Sequence, residues 1–439
     1  MFRDRVLPGQ IWYNCCKIAT LETKIGGVTV RKPGYLGLSK KKQALIADER
    51  VPLAQNSNSR ECSTMQKDFV PPTVLFVLSK ILGNSTSSKY IEDISSGVSA
   101  GKVQCIDFTT KDYASYRRFS KYDLLSKKFE TSCCVKSKVN ELANIDFDVM
   151  FLNSLEFIVG LQHYARPRRK IILSTDTTDI LSHQQLYQVA PSLFGLIKRA
   201  AKDLFTKPWY KRAFKCVDLF MPMTEWCADS LRKDYGVPEE KILISMAGVE
   251  VERWKPAESH ATTGRRGILF VGNDFRRKGG EFLVDLHDKY LSSHCDLTIV
   301  SNDPVVDAYT DRPNVIVRRG ISHTNIEELI GLFQSSAIFI FPTFYDKAGW
   351  VLIEASAAGL PIIARDCGGV GNLVRSGFNG ILLPYDSSPE DWANTTLELL
   401  GDKERRELFS VNGMGKAESD HSKARLIQDL KTALERVGY

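Results

Sequence analysis

The sequence predicts an α/β protein built from two doubly wound, Rossmann-like domains that face each other across a cleft. Two observations indicate this class. Short apolar segments of strand length alternate with helix-length segments, as in parallel sheets, and the alternation runs twice, on either side of a polar linker. The chain has 439 residues, 43% apolar and 25% charged, so it can bury two sizeable cores and is neither disordered nor fibrous.

The first 70 residues show no sustained hydrophobic periodicity, and they contain turn-forming residues and the run Lys40-Lys41-Lys42. We predict an irregular N-terminal extension over 1–70. The first Rossmann-like domain is predicted over 71–255, because six strand-sized apolar segments recur there between helix-length segments. They are residues 74–78, 103–108, 149–152, 171–174, 219–222 and 242–245.

The stretch 253–266 has linker composition, and the second domain is predicted over 256–415. Its expected strands are 267–271, 296–301, 314–319, 337–342, 361–365 and 380–383. The last segment, 416–439, carries an apolar stripe at helical spacing, formed by Leu426, Leu430, Leu434 and Val437. We expect this C-terminal helix to cross back and pack on the first domain.

Several classes of protein are excluded or disfavoured by the composition. No apolar run approaches the ~18–20 residues that a membrane-spanning helix needs. No secretory signal is readable, since Pro8 and Gly9 stand where its apolar segment would be, so we expect a cytoplasmic protein. Ten cysteines are scattered without C-x-x-C spacing, which favours reduced thiols over disulfides or a zinc site, and we assign no metal to them.

The net charge of +7 is distributed unevenly: residues 1–256 carry +12 and residues 257–439 carry −5. Part of the excess lies in the basic, aromatic segment 193–216, where seven Lys and Arg stand against Asp203 alone. This segment could attach peripherally to an anionic membrane, on its cytoplasmic face, or it could be an ordinary helix pair that buries its aromatic side chains. Nucleic-acid binding fits less well, because no recognised module accompanies the charge.

The turn 272–280 follows the first strand of the second domain and opens a helix. It contains Gly272 and three consecutive cations, Arg276, Arg277 and Lys278. The positive end of a helix dipole disfavours cations, so a bound phosphate would explain them, although a solvated basic turn is the simpler alternative. The segment is not a P-loop, because Gly279 rather than Ser or Thr follows Lys278.

Two acidic residues, Asp346 and Glu354, lie eight positions apart after another buried strand. Glu354 falls within an apolar helix, so its carboxylate needs a hydroxyl or cationic partner, and ribose hydroxyls would serve. The amides of Ala348 and Gly349 form the start of that helix, which we expect to be open to phosphate. The alternatives are that Asp346 is a turn or capping residue and that Glu354 is a structural carboxylate.

In their joint arrangement these motifs resemble the retaining nucleotide-sugar glycosyltransferases of glycosyltransferase family 4, which have the GT-B fold. The resemblance extends from about Val74 onward and is strongest over 218–385. It is carried by the stretches 236–242, 247–256, 270–272, 277–279 and 346–369. The family's usual E-x7-E motif begins here with Asp346, and Asn273 and Asn372 stand where the family commonly has Arg and Glu.

The resemblance implies a transferase that moves a sugar from a nucleoside diphosphate donor to an acceptor hydroxyl on a glycan, a glycolipid or a small molecule. Arg277 and Lys278 would hold the diphosphate, together with Gly349 through its backbone, and Arg276 could share that role because Asn273 is neutral. Glu354 would bind the ribose and Asp346 the transferred sugar. No metal cofactor is implied, and the donor is itself a substrate.

Asp176 follows a strand of the first domain and is our candidate on the acceptor side, although a turn-stabilising Asp is the simpler interpretation. Two further motifs are predicted to be chance matches. Gly97-x-Ser99-x-Gly101 matches a hydrolase nucleophile elbow, but a helix precedes it and a strand follows. Asp146-x-Asp148 matches a metal motif of the other major glycosyltransferase fold, but it precedes its strand. A nucleotide-sugar epimerase and a catalytically silent sugar-binding or scaffold protein remain alternatives.

Overall fold

The computed structural model describes residues 71–79, 84–98, 103–108, 146–165, 169–188, 193–246, 248–256, 267–321 and 325–439. The predicted extension over 1–70 lies outside these ranges. The described chain contains two parallel sheets with helices packed against them, as the alternation of apolar segments predicts.

The first sheet has five parallel strands in the order β2-β1-β3-β4-β5. All six residues of the interior strand β1 are buried, which is the pattern of a strand covered on both faces. The strands are β1 (Val74–Ser79), β2 (Val103–Phe108), β3 (Val149–Leu152), β4 (Lys170–Thr175) and β5 (Leu219–Pro222). The helices among them are α1 (Asn84–Val98), α2 (Phe157–Leu161), α3 (Asp179–Gln188), α4 (Leu193–Phe214) and α5 (Glu225–Tyr235), with 3-10 turns at Gln162–Tyr164 and Glu239–Lys241.

The second sheet has six parallel strands in the order β11-β10-β9-β6-β7-β8. The strands are β6 (Ile268–Val271), β7 (Leu297–Val300), β8 (Val315–Arg318), β9 (Ile338–Phe341), β10 (Ile362–Arg365) and β11 (Gly380–Leu383). The helices are α6 (Val251–Trp254), α7 (Gly280–Leu286, continued by a π-helical turn at His287–Leu291), α8 (Ile326–Ser335), α9 (Trp350–Ala357), α10 (Val370–Leu373), α11 (Pro389–Gly401), α12 (Lys403–His421) and α13 (Lys423–Arg436), with a 3-10 turn at Pro304–Tyr309.

In each sheet, successive strands are first added on one side of the starting strand and then on its other side. The place between the two sets of strands is the switch point of the sheet. In the second sheet this point lies between β6 and β9, which are adjacent in space but far apart in sequence. Open parallel sheets bind ligands beyond the carboxyl ends of their strands at such a switch point. The loops after β6 and β9 hold the two motifs that the sequence analysis singled out.

One predicted strand is absent. Residues 242–245 form a single bridge, between Ile242 and Phe220, and no strand. The amides of Leu243 and Ser245 still donate to the carbonyls of Phe220 and Pro222, so the segment runs beside β5. The pairing with β5 does not extend further, because the chain enters the second domain a few residues later.

The chain passes between the two domains twice, near Val249 and near His421, and we call these two segments the crossings. They lie side by side, and their positions differ from the predicted domain boundaries. Val249 and Trp254 pack in the core of the second domain, where Trp254 meets Phe333 edge to face, so the first crossing precedes residue 256. The return crossing follows His421 and not residue 415, because α12 still packs on the second domain through Ala417. The Val249 amide donates to the His421 carbonyl at 2.8 Å, which joins the two crossings.

The C-terminal helix packs on the first domain, as predicted. Ser422 caps α13 by accepting a hydrogen bond from the Arg425 amide. The predicted stripe, Leu426, Leu430, Leu434 and Val437, is buried against β1, β3 and α1. Trp350, at the start of α9, packs against the cores of both domains, so the helix that carries Glu354 begins where the domains meet.

Candidate active site

The two loops at the switch point of the second sheet are bonded to each other. The Phe344 amide donates to the Arg277 carbonyl at 3.0 Å, and the Thr343 hydroxyl donates to the same oxygen at 3.4 Å. The turn after β6 and the loop after β9 therefore form one framework. Every candidate residue of the second domain lies on this framework or on α9.

The turn 272–279 folds tightly because of its glycines. Gly279 has φ +79° and lies against Pro342, so an added Cβ would collide with the Pro342 carbonyl. Gly272 leaves room for the side chain of Lys278, whose Cδ a Cβ at position 272 would meet. The Lys278 ammonium lies 5.4 Å from the centre of the Phe341 ring, at the carboxyl end of β9. The turn thus directs Lys278 towards the switch point.

Glu354 lies inside α9 and is 4% exposed. Burial raises the pKa of its carboxyl from 4.5 to about 8, and the positive charge of Lys278 opposes this shift. Without ligand, the carboxyl is therefore mostly protonated near neutral pH. Lys278 and Glu354 bring a cation and a hydrogen-bonding carboxyl group together at the place where such sheets bind ligands.

The other two cations of the turn have partners within the protein. Arg276 is 78% exposed at its side chain and pairs with Glu281 at 2.9 Å, so it lies at the surface. Arg277 donates to Asp274 at 2.5 Å and to the Tyr345 carbonyl at 2.8 Å, and its guanidinium lies 3.6 Å from Asp346. The three consecutive cations are thus not equivalent. Arg276 is a surface residue, Arg277 braces the loop after β9, and Lys278 lies beside Phe341 at the switch point.

Asp346 binds the two backbone amides that lead into the helix that carries Glu354. Its Oδ1 accepts hydrogen bonds from the Ala348 amide at 3.3 Å and the Gly349 amide at 2.8 Å. These two amides were predicted to be open to phosphate, but in the structure they donate to this neighbouring carboxylate. An acid at a helix N-terminus also interacts favourably with the helix dipole.

Asp176 reaches the second domain. It follows β4, and its carboxylate lies 3.5 Å from the ammonium of Lys347, in the loop after β9. A second contact between the domains is made by Asn372, whose Oδ1 accepts a hydrogen bond from the Trp226 amide in the first turn of α5 at 3.3 Å. The carboxyl edges of the two sheets therefore meet at the loop that contains Asp346.

Of the two motifs that were predicted to be chance matches, the first lies partly outside the described residues, and the second has structural roles. Gly97 and Val98 end α1, and the rest of that motif is not among the described residues. Asp148 accepts a hydrogen bond from the Thr73 amide at 2.8 Å and anchors the entry to β1, whereas Asp146 pairs with Arg169. In the ranges that the structure describes, no group of three or more His, Cys, Asp or Glu side chains could hold a metal ion.

Two residues of the site were missed by the sequence analysis. Lys347 was passed over although it stands between Asp346 and Ala348. Arg365 ends β10, is 5% exposed, and lies within 5.6 Å of the centres of four aromatic rings, those of Phe282, Phe344, Tyr385 and Trp392. Its guanidinium also donates to the Pro342 and Tyr385 carbonyls, at 3.4 and 2.5 Å, and so supports the loop after β9 from below.

Among the residues that the structure describes, no helix is both long and apolar enough to cross a bilayer. The basic segment 193–216 forms α4, whose Tyr210 and Phe214 side chains are buried in the core of the first domain. The alternative that this segment packs its aromatic residues inward is correct for these two. Its cations Lys211, Arg212 and Lys215 are exposed.

Comparison with known proteins agrees with this geometry. A family model described as "Glycosyl transferases group 1" matches residues 265–402, which include the turn 272–280, Asp346 and Glu354. The D-inositol 3-phosphate glycosyltransferase of Paenarthrobacter aurescens is 26% identical over 223 residues, 45% of this chain and 51% of that protein. The alpha-D-kanosaminyltransferase of Streptomyces kanamyceticus is 25% identical over 223 residues, 46% of this chain and 57% of that protein. The chain thus spans just over half the length of these curated relatives.

Solved structures show the same fold. The sucrose-phosphate synthase of Thermosynechococcus elongatus aligns with a TM-score of 0.66 at 16% identity, over 83% of this chain and 98% of that one. Anabaena Alr3699/HepE, solved in complex with UDP and glucose, aligns with a TM-score of 0.59 at 15% identity, over 83% and 99%. The described chain therefore has the GT-B fold of two Rossmann-like domains, and its residues 265–402 match the model of the group 1 glycosyl transferases.

Proposed function

We propose that this protein is a retaining glycosyltransferase that moves a sugar from a nucleoside diphosphate donor to an acceptor hydroxyl. The observation that carries the proposal is that Lys278 and the buried Glu354 both lie at the switch point of the second sheet, with the Lys278 ammonium 5.4 Å from the Phe341 ring at the carboxyl end of β9. A cation there can neutralise phosphate, and a carboxyl in the adjacent helix can bind ribose hydroxyls. The second domain would hold the donor, and the first would hold the acceptor near Asp176.

The comparisons support the donor class. The similar Anabaena protein was solved with UDP and with UDP-glucose, so UDP is the first nucleotide to test. Several curated relatives are named D-inositol 3-phosphate glycosyltransferase, which favours a polar, hydroxyl-bearing acceptor. The acceptor class of the proposal is accordingly a glycan, a glycolipid or a small polyol.

The proposed reaction exchanges one bond at the anomeric carbon. The bond from that carbon to the donor phosphate oxygen breaks as the bond to the acceptor oxygen forms on the same face, so the configuration is retained. The acceptor hydroxyl proton passes to the departing phosphate oxygen. Negative charge grows on the diphosphate, and Lys278 is positioned to stabilise it. Because this stabilisation comes from side chains, we propose that turnover needs no divalent metal.

The test measures sugar transfer and nucleotide release with UDP, GDP and ADP sugars, with magnesium and with excess chelator. Lys278→Met should reduce turnover about 100-fold or more, because it removes charge stabilisation at the leaving group. Arg276→Met is the matched control in the same turn and should retain turnover, since Arg276 pairs with Glu281 at the surface. Equal losses in both variants would contradict the site.

The same experiment separates the alternatives. An epimerase of this fold would convert the donor sugar without an acceptor, so the sugar would change while still attached to nucleotide. A silent sugar-binding or scaffold protein would bind the nucleotide without releasing product. Nucleotide release that depends on an added acceptor is the outcome that supports a transferase.

We also propose that the exposed face of α4 attaches to anionic membranes. Leu204 is 72% exposed. Lys211 and Arg212, about two turns further along α4, and Lys215, just after its end, are exposed as well. Asp203 is the one acid in the stretch 203–216. Each cation near an anionic leaflet contributes about 1 kcal/mol, so three can hold a protein at the surface reversibly.

Sedimentation with vesicles tests this attachment. The protein should bind vesicles of phosphatidylcholine with phosphatidylserine and should not bind vesicles of phosphatidylcholine alone. Replacing Lys211, Arg212 and Lys215 with Gln should abolish binding. The matched control replaces three exposed lysines elsewhere, Lys233, Lys289 and Lys403, and should bind like the wild type. Equal binding of both triple variants would rule out α4 as the attachment face.

A further inference from the structure

We propose that Lys347 binds the diphosphate of the donor, and that its ion pair with Asp176 holds the lysine at the domain interface until the donor arrives. This inference rests on the proposed donor-binding function. It adds a residue of this chain that lies outside the turn 272–280, and it gives the contact between Asp176 and Lys347 a role in donor binding.

The charge balance at the switch point calls for a further cation. A diphosphate carries negative charge on two phosphate groups, yet the turn after β6 offers little to neutralise it. Arg276 pairs with Glu281, and Arg277 is bound by Asp274 and lies near Asp346. Lys278 is left as the cation of that turn that lies at the carboxyl end of β9, 5.4 Å from the centre of the Phe341 ring.

Lys347 has a fixed backbone and an adjustable side chain. Gly369 lies so close that an added Cβ would collide with the Lys347 carbonyl, and the Gly369 amide donates to the Asp346 carbonyl at 3.2 Å. The Lys347 side chain is nevertheless 38% exposed. A lysine on a flexible four-carbon stem can change partners without movement of the backbone. Its position just before α9 puts it beside the helix that carries Glu354.

The present partner of Lys347 can be exchanged at little cost. Asp176 lies 3.5 Å from the ammonium, and its side chain is 28% exposed, so water competes with the pair. A diphosphate presents more negative charge than one carboxylate and accepts stronger hydrogen bonds. Transfer of Lys347 from Asp176 to the donor would also release the Asp176 carboxylate at the edge of the first sheet, where the acceptor is proposed to bind.

The domain contact does not depend on this ion pair alone. The Trp226 amide donates to Asn372, and Gly369 lies against Thr224, so α5 stays joined to the second domain when the pair is broken. Trp350 adds packing against both cores. Loss of the pair should therefore change the charge available to the donor more than it changes the closure of the two domains.

Isothermal titration of UDP and uridine into the full chain tests the proposal, with Lys347→Met and Asp176→Asn as the variants. Lys347→Met should weaken UDP binding about tenfold, since a charge-assisted hydrogen bond is lost, and should leave uridine binding unchanged. Asp176→Asn should strengthen UDP binding about threefold, because the competing carboxylate is gone. Lys403→Met, which breaks an exposed ion pair of similar length to Glu407, is the matched control and should bind both ligands normally.

The opposite signs distinguish a ligand-binding lysine from a structural bridge. If the pair only held the domains together, both substitutions would act in the same direction, and uridine binding would change as well. Unchanged UDP binding in Lys347→Met, with normal binding in the wild type, would overturn the role of Lys347 and leave the proposed function intact. If the wild type bound none of UDP, GDP and ADP, the proposed function and this inference would both be overturned.

Discussion

The Oδ1 atom of Asp346 accepts the Gly349 amide at 2.8 Å, at the start of the helix whose interior carries Glu354. The two acids that stand eight positions apart in sequence are thus linked: the first holds the backbone that leads into the helix on which the second is buried. Asp346 also lies 3.6 Å from the guanidinium of Arg277, so it ties this entry to α9 to the turn after β6.

Replacement of Asp346 should separate the effect of its hydrogen bonds from the effect of its charge. Asp346→Ala removes the acceptor of two amides and should lower the free energy of unfolding by about 1–2 kcal/mol. Asp346→Asn keeps an oxygen that can accept from Gly349 but loses the attraction to Arg277, so we expect less than half of that loss. Denaturant unfolding of both variants measures the difference. Equal destabilisation would show that the charge near Arg277, and not the two hydrogen bonds, stabilises the loop.

The sequence was sufficient to predict the two parallel sheets and the return of the C-terminal helix, because both depend on local patterns. Each strand is a short buried apolar run, and the stripe from Leu426 to Val437 has helical spacing. The boundaries were less accurate. The crossings at Val249 and His421 are set by a hydrogen bond between segments far apart in the chain, which no local pattern encodes.

At the site, residue types were predicted better than their partners. Glu354 and Lys278 both lie at the switch point of the second sheet, because each position follows from the place of one loop on one strand. Arg276 and Arg277 looked alike in sequence, and only the placement of Glu281 and Asp274 separates a surface arginine from a bracing one. The surroundings of Arg365 could not be predicted, because its four aromatic neighbours come from separate segments of the second domain.

Glu354 should make the stability of the ligand-free protein depend on pH. Its pKa is about 8 in the folded chain and near 4.5 when unfolded, so the folded state binds more protons between these values. The stability that this group contributes is complete below pH 4.5 and is lost as the pH rises through 8. Glu354→Gln stays neutral and should be more stable than the wild type at pH 9, by on the order of 4 kcal/mol, with a much smaller difference at pH 5.

Denaturant unfolding at pH 5, 7 and 9 checks this prediction. Glu404→Gln, at an exposed position in the first turn of α12, is the control and should follow the wild type at all three values. A difference between Glu354→Gln and the wild type that stays constant with pH would contradict the raised pKa.

The place where the two crossings meet should not tolerate a larger residue. A Cβ at Gly248 would collide with the carbonyl oxygens of His421 and Ser422, which are backbone atoms that cannot rotate away. Gly248→Ala should therefore destabilise the protein by about 2 kcal/mol or more. Gly331→Ala is the matched control: position 331 lies in α8 with open space around it, and alanine there should stabilise the helix by about 0.5–1 kcal/mol. Changes of the same sign in both variants would contradict this account of the crossing.

His421 should make the protein sensitive to acid. The imidazole is 8% exposed, and neither ring nitrogen has a hydrogen-bond partner among the described residues. Burial lowers its pKa from 6.5 to about 4, with Lys416 and Arg425 acting in the same direction and Asp420 opposing them. Between these values the unfolded chain binds a proton that the folded chain does not, so the free energy of unfolding falls as the pH falls from 6.5 to 4.

Replacement of His421 by Leu removes this titration and places an apolar side chain of similar size in the same buried position. At pH 5 the wild type should lose about 2 kcal/mol relative to pH 7 through this residue, and His421→Leu should not. His294, which is exposed, provides the control: His294→Leu should keep the acid sensitivity of the wild type. Denaturant unfolding at pH 7, 6 and 5 measures the slopes. Parallel slopes for His421→Leu and the wild type would mean that His421 is protonated in the folded chain, and that the crossing is open enough to hydrate it.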